Sequence, residues 1–427
     1  MADTSYILND ILEFLGLEYF YVKFYIFPMK NFNNFSFYLY TDILFGKDTE
    51  NETGKMIRKH GGTRVMIVYG GGSVKKSGLF DRVVKTLKDE GLYYIEFGGV
   101  QPNPRRSLVE KRIVTAREEK IDFFLGLGGG SSIDTAKAIA LAIANNGEYW
   151  KFYNGVAAEK MAKVGTIHTI AAAGSETSRS TVLVDDLETG RKLGLNWDCC
   201  RPVFAIMNPE LTFSVSAYQT GAGAADTVAH TVSRYFMRDM SSSRLGDEFA
   251  EGLIRTVIKN GPIAVANPKD YDARAELMMA ASFSHNDLTC IGRSGVRGGE
   301  HALEHQLSGH YDTVHGAGLA AVMPAWLQYI ADNGTPEQTA RVAQFGVSVF
   351  GVRADMADVK ATANAGLEAF RAWVRSIGMP LTLSELGIPK TDLSAVVKRT
   401  LDANKGKVSG YMDLDEKAVT AIFSSMA

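Results

Sequence analysis

Two glycine-rich turns constrain this chain more than any other feature, because each sits between an apolar run and a helical pattern. Phe123-Phe124-Leu125-Gly126-Leu127 leads into Gly128-Gly129-Gly130-Ser131-Ser132. A helix with Ala136, Ala138, Ile139, Ala140 and Ile143 is expected to begin near Ile133. Earlier, the run from Arg64 to Tyr69 ends in Gly70-Gly71-Gly72-Ser73. A helical face of Leu79, Val83 and Leu87 follows, with Gly91 as its stop. Apolar runs without alternation are strands buried on both faces, and helices between such strands make a parallel βαβ sheet. Tyr93 to Phe97 and Val164 to Ala172 read as further strands, and Val109 to Lys120 as a helix. The expected fold over residues 31–212 is a Rossmann-like, nucleotide-binding α/β domain.

The texture changes after Pro209. Amphipathic helical patterns over 217–238, 243–262, 270–287, 299–308, 315–332, 335–350 and 355–377 predict an all-helical domain over residues 213–427. Residues 1–30 are aromatic-heavy, as in Tyr19-Phe20-Tyr21, and carry no catalytic pattern. They read as an N-terminal extension with no role assigned. A length of 427 residues suits two or three domains.

Charge and cysteine content exclude several function classes. The 46 basic and 48 acidic residues leave a net charge of −2, which argues against a broad electrostatic grip on nucleic acid or an anionic membrane. The apolar run from Ile11 to Phe27 is broken by Glu13, Glu18 and Lys23, so it makes a poor membrane span. Cys199, Cys200 and Cys290 are the only cysteines and two are adjacent. A disulfide framework is excluded, and a reduced, cytoplasmic protein is expected.

In the Gly128–Ser132 turn, glycines let backbone approach a phosphate, and free N–H groups at the helix start attract the anion. A tight βα turn packed on its neighbours explains the same residues equally well. In the Gly70–Ser73 turn no acid stands ready for a ribose 2′-hydroxyl. Ser73, Lys75 and Lys76 stand there instead. They suit a 2′-phosphate, although adjacent lysines are often only a solvated helix face. The glycine context favours NADP(H).

Four of the eight histidines, His301, His305, His310 and His315, fall within one short stretch. Upstream, Asp226 and His230 share a helix face at i and i+4, roughly 6 Å apart at Cβ. His301 and His305 are spaced alike. A carboxylate with neutral imidazoles suits a divalent transition ion, with Fe²⁺, Zn²⁺, Mn²⁺ and Co²⁺ all feasible. Spacing alone leaves open which histidines bind it. His60, His168 and His285 read as packed or exposed residues.

These motifs together resemble the iron-containing (group III) alcohol dehydrogenases, in particular the NADP-dependent butanol dehydrogenase branch. They run in one order: Phe45-Gly46-Lys47, Tyr69 to Ser73, Pro102-Asn103-Pro104, Gly128 to Lys137, Gly174-Ser175-Glu176, Asn208-Pro209, Asp226 with His230, and His301 with His305 through His315-Gly316. The resemblance implies metal ligands at Asp226, His230, His301 and His315, with Fe²⁺ as the ion and Zn²⁺ as its alternative. It implies that His305 lies beside the nicotinamide as the catalytic histidine, close to the metal but not bound to it. Gly128, Gly129, Gly130, Ser131 and Ser132 would hold the pyrophosphate, with Asp134 in the same motif. Gly71, Gly72 and Ser73 would meet the adenosine end. Ser175 would lie near the phosphates and Lys192 at the nicotinamide ribose.

The implied activity is reversible hydride transfer between NADP(H) and a primary alcohol or aldehyde, by a homodimer. Ala173 departs from the family pattern, which has a threonine hydroxyl there, and this predicts weaker cofactor binding. His310 is expected to be structural. Two other functions fit parts of the pattern: a metal- and nicotinamide-dependent lyase or cyclase of the dehydroquinate synthase-like superfamily, and a non-catalytic nucleotide binder.

Overall fold

The structure, a computed structural model, describes residues 34–239, 243–355 and 357–427. The extension expected over residues 1–30 lies outside the described residues. Eight strands come first along the chain: β1 (Asp42–Phe45), β2 (Arg64–Tyr69), β3 (Tyr93–Phe97), β4 (Phe123–Gly128), β5 (Lys163–His168), β6 (Ser180–Val184), β7 (Lys192–Asn196) and β8 (Phe204–Met207). Six of them form one sheet in the order β1-β8-β5-β4-β2-β3, parallel throughout. β6 and β7 pair separately as an antiparallel hairpin. Every residue of β4 and β8 is buried, whereas β3, at the sheet edge, exposes Tyr93 and Glu96. The absence of alternation in the central strands is the signature of helices on both faces.

Strand order explains where the glycine turns meet. The chain steps from β2 outward to β3, crosses back to β4, and then proceeds the other way through β5 to β8. Direction reverses between β2 and β4, the switch point at which open parallel sheets bind ligands. Tyr69 pairs with Leu127 in the β2–β4 register, so both turns leave the sheet side by side at its carboxyl edge. Gly72 has φ +110°, a left-handed conformation that a side chain would strain. Helix α1 (Gly130–Ala144) starts three residues earlier than expected, directly on the glycines. Its first N–H groups therefore have no acceptor within the helix.

The second half is a helical layer: α2 (Ala217–Tyr235), α3 (Arg244–Ala266), α4 (Tyr271–His285), α5 (Glu300–Tyr311), α6 (His315–Asn333), α7 (Pro336–Phe350) and α8 (Val359–Ser376), with two further helices at Leu393–Ala403 and Glu416–Ser425. Its core is built around Trp326, Phe345, Phe370 and Phe236, all buried. The expectation of an all-helical region needs one correction. Met237–Asp239 and Ser294–Arg297 pair as a short antiparallel ribbon, β9 and β10. Strands of three and four residues are too short to show a period of two in the sequence.

Helix α2 is buried along nearly its whole length, because its small residues let other backbone approach. A Cβ on Gly316, at the start of α6, would lie 2.0 Å from the Ala222 carbonyl oxygen. Only glycine allows that approach, which brings His315 up to Asp226.

Candidate metal and nucleotide site

A single cavity of about 1070 Å³ runs from Gly70 and Gly71 past Gly129–Ser132, Ser175 and Lys192 to Asp226 and His230. That is the upper end of the usual range for a small-molecule pocket, and it joins the sheet's switch point to the helical layer. No helix among the described residues is long and apolar enough to cross a membrane.

At its deep end three helices bring titratable groups together. Asp226 and His230 come from α2, His301 and His305 from α5, and His315 from the first residue of α6. Ligand atoms of Asp226, His230 and His301 lie within 4.8 Å of one another. His230 Nε2 is 3.3 Å from Asp226 Oδ1, and His315 Nε2 is 3.9 Å from the same oxygen. Ring orientation is set from behind. His301 Nδ1–H donates to Glu300 Oε1 at 2.8 Å, and His315 Nδ1–H donates to Glu304. Both rings therefore turn Nε2 toward Asp226, the arrangement in which a carboxylate behind a histidine fixes the tautomer of a metal ligand. Asp226 Oδ1 and His301 Nε2 are buried without a hydrogen-bond partner among the described residues. Buried polar atoms are normally satisfied, so these two mark a place where a cation fits.

Electrostatics favour the same reading. Burial, reinforced by neighbouring imidazoles and cations, holds His230, His305 and His315 well below the usual histidine value. They are neutral, as ligation requires. Burial also pushes the Asp226 carboxyl up to about 6, an effect that the charges of His301 and Lys192 only partly offset. His305 falls in a second group with Glu304 and His315, one helical turn from His301.

The nucleotide end is more mixed. Gly129, Gly130, Ser131 and Ser132 line the cavity, as do Gly71, Asp134, Ser175 and Lys192. Gly72, Ser73 and Gly128 do not. Ser73 is exposed, and no atom lies within 4 Å of a Cβ placed on Gly71 or Gly72, so that end opens to solvent. Asp134 accepts from Ser175 Oγ at 2.5 Å and from the Val182 N–H at 3.1 Å. Both its oxygens are engaged by protein. Lys192 Nζ donates to Asn103 Oδ1 at 3.1 Å. The fold also supplies an acid that the stretch around Gly70–Lys76 lacks. Glu96, at the end of β3, accepts from Lys75 Nζ at 2.5 Å and from Tyr69 Oη at 2.7 Å.

Several residues in or behind the cavity wall carry no mark in the sequence. Lys137 is fully buried behind the Gly128–Ser132 turn. Its Nζ donates to the carbonyls of Ser175, Ser178 and Ser180 at 2.6–3.0 Å, pinning the wall that carries Ser175. Burial lowers its ammonium to about 8. His285, expected to be a bland packed or exposed residue, instead lines the cavity. Its ring stacks 4.0 Å from that of His230, and its Nδ1–H donates to the Ala173 carbonyl at 2.7 Å. Nothing in its local spacing marks it. Glu300 and Glu304 were legible in principle, since each directly precedes a histidine. His60 and His168 stay outside the cavity, as does His310, which is exposed with its ring against Tyr311.

Comparison with known proteins accords with this geometry. Residues 41–209 match the family model described as iron-containing alcohol dehydrogenase, and residues 220–427 match its C-terminal counterpart. NADH-dependent butanol dehydrogenase A of Clostridium acetobutylicum is 36% identical over 91% of this chain and 98% of its own. The NADPH-dependent aldehyde reductase YqhD of Escherichia coli is 32% identical over 86% of this chain and 92% of its own. The crystal structure of NADH-dependent butanol dehydrogenase A from Thermotoga maritima superposes with a TM-score of 0.86 at 34% identity, covering 93% of this chain and 99% of that one. With sheet order, glycine turns and histidine cluster all in place, the chain belongs to the iron-containing alcohol dehydrogenase family.

Proposed function

We propose that the protein catalyses reversible hydride transfer between NADP(H) and a primary alcohol or aldehyde, using one divalent ion held by Asp226, His230, His301 and His315. Fe²⁺ is the proposed occupant and Zn²⁺ its alternative. The single observation that carries this is the convergence of four side chains with two buried, partnerless ligand atoms, at the end of a cavity that begins at the glycine turns. When bound, the ion supplies Lewis acidity to a substrate oxygen and the nicotinamide supplies or accepts the hydride.

The chain's own residues do the rest. Gly128–Ser132 and the start of α1 bind the pyrophosphate through backbone N–H groups and the helix dipole. Ser175, braced by Asp134 and Lys137, contacts the cofactor beside them. Lys192 holds the nicotinamide ribose. Glu300 and Glu304 orient the ligand histidines. His305, neutral and buried beside His315, takes up or returns a proton at an imidazole nitrogen. Gly71, Gly72 and Ser73 meet the adenosine end. There Ser73 and Lys75 select the 2′-phosphate, with Lys75 offsetting the charge of Glu96.

The proposed division at residues 212 and 213 gives the phosphate turns to one domain and every metal ligand to the other. All three cysteines are free thiols, which suits a reducing compartment, and the cytoplasm is the proposed location. An exposed run at Phe37, Tyr38, Leu39 and Tyr40 supports assembly as a homodimer.

The decisive experiment measures NADPH oxidation on addition of butanal, alongside metal quantification of the purified protein. The expected result is turnover with close to one divalent ion per chain. Full activity after exhaustive chelation, or no oxidation of either NADPH or NADH by any aldehyde, refutes the reading.

A further inference from the structure

The wall beyond the proposed metal ligands is polar and cationic. Ala222 and Val314 line the cavity on one side of the proposed ligands, while the other side is lined by Ser233, Arg234, His285, Arg297, Gly299 and Ala302. On that other side, Ala302 is the only one with an apolar side chain. A pocket for a plain alkyl chain gains affinity by burying hydrocarbon against hydrocarbon, and this wall offers little of it.

The charge there is out of balance. Arg179, Arg201, Arg234 and Arg297 all converge on one carboxylate, Asp287. Arg179 Nε and Arg201 Nη2 lie 3.0 Å from its Oδ2, while Arg297 Nη2 at 2.7 Å and Arg234 Nη2 at 3.7 Å approach Oδ1. Among the described residues Asp198, half exposed, is the only second acid paired with any of them, 3.7 Å from Arg179 and 3.5 Å from Arg201. Among the described residues four guanidinium groups face two carboxylates, so two positive charges are left over. The two arginines that reach the cavity, Arg234 and Arg297, are those that Asp198 does not touch. Arg234 is 2% exposed, and its Nε has no hydrogen-bond partner among the described residues. A buried guanidinium with an unsatisfied donor is costly. A carboxylate is the planar acceptor that its fork geometry matches.

We propose that the substrate itself carries a carboxylate: a short oxo acid reduced at its aldehyde carbon, or the matching hydroxy acid oxidised, with the acid group received by Arg297 and Arg234. This rests on the function proposed above and narrows its substrate class. Arg234 follows His230 by one helical turn, about 6 Å along the axis, which suits an oxo acid of about four carbons. Chemically the step is unchanged. A hydride passes from the reduced nicotinamide to the carbonyl carbon, one proton passes to the oxygen, and the carboxylate is untouched.

The test compares 4-oxobutanoate with butanal, equal in chain length, as substrates of the wild-type metal-loaded enzyme with NADPH, and with NADH in parallel. The expected result is a kcat/KM at least about tenfold higher for the oxo acid, with a KM that rises with ionic strength only for the oxo acid. Arg297→Met should lower the ratio of the two kcat/KM values at least about tenfold, mainly through the KM of the oxo acid. The wild-type comparison and its salt dependence decide the matter should that variant fold poorly. Butanal equal to or better than 4-oxobutanoate overturns this inference and leaves the proposed function standing. Turnover of neither substrate, with no bound metal, overturns both.

Discussion

Asp226 and Asp287 are two acidic side chains of the helical half with opposite surroundings. Asp226 has histidines around it and no cation paired with it, only the field of Lys192, and burial pushes its carboxyl up to about 6. Asp287 is also largely buried, but Arg234, Arg297, Arg179 and Arg201 overcome that burial and hold its carboxyl far below the usual range. One acid is left unsatisfied by its own chain and the other is over-satisfied. The unsatisfied one lies where the fold can accept an ion from outside. The over-satisfied one ties together elements distant in sequence, namely the loop before β6, the loop before β8, the end of α2 and β10. Buried charge of both kinds is expensive. The difference between a site and a brace lies in whether the chain itself supplies the counter-charge.

Mutations can break this contrast. The largest effect is expected from His301→Ala, which removes a ligand from the unsatisfied cluster. Bound metal should be lost and kcat/KM should fall by about a thousandfold or more, equivalent to about 4 kcal/mol, while the circular dichroism spectrum stays native. Metal analysis with steady-state kinetics checks it, and full metal content in the variant would remove His301 from the ligand set.

Asp287→Asn should do the reverse, leaving metal stoichiometry intact in the folded fraction but lowering stability by about 3–5 kcal/mol, as breaking a buried ion pair does. Denaturant unfolding measures this. The pH dependence follows from the sign of the shift. The Asp287 carboxyl is held below its unfolded-state value of about 3.9. Its contribution is therefore fully present above that value and is lost as pH falls through the lower folded-state value. The stability gap between wild type and Asp287→Asn should be constant from about pH 5 to 8 and shrink below about pH 4. A gap that widens on acidification would contradict the assignment.

His305→Ala sharpens the picture within the site. Metal should be retained while turnover falls by about 100-fold, the low end of the range for loss of a proton-transfer group. Unchanged turnover excludes that role. The smallest effect belongs to the exposed Lys75. Lys75→Ala should raise the KM for NADPH by about tenfold, and that for NADH much less. A parent enzyme that prefers NADH would instead assign the ribose to Glu96.

Much of this was legible in the residues. The buried strands ending in glycine turns are local patterns, and the parallel sheet appears where they placed it. The helices expected over 217–238 and 270–287 appear as Ala217–Tyr235 and Tyr271–His285, ending two or three residues early because helix ends depend on caps and packing. The i, i+4 pairing of Asp226 with His230 is likewise local, and it survives as a 3.3 Å contact. By contrast, His285 entered the cavity unannounced, and Glu96 came to Lys75 from the neighbouring strand. The four arginines spread from 179 to 297 gave no hint that one aspartate gathers them.

What the sequence determined by itself is whatever lies within about one helical turn or one strand: element type, the glycine conformations and the spacing of neighbouring candidate ligands. Backbone geometry settles these directly. What only the tertiary structure decided is which distant groups share a dielectric environment: His315 with Asp226, His285 with His230, and Arg297 with Asp287. Those meetings depend on helix approach, such as Gly316 against the Ala222 carbonyl. They also depend on the cost of leaving buried charge uncompensated, a property of the whole packed interior rather than of any short stretch of chain.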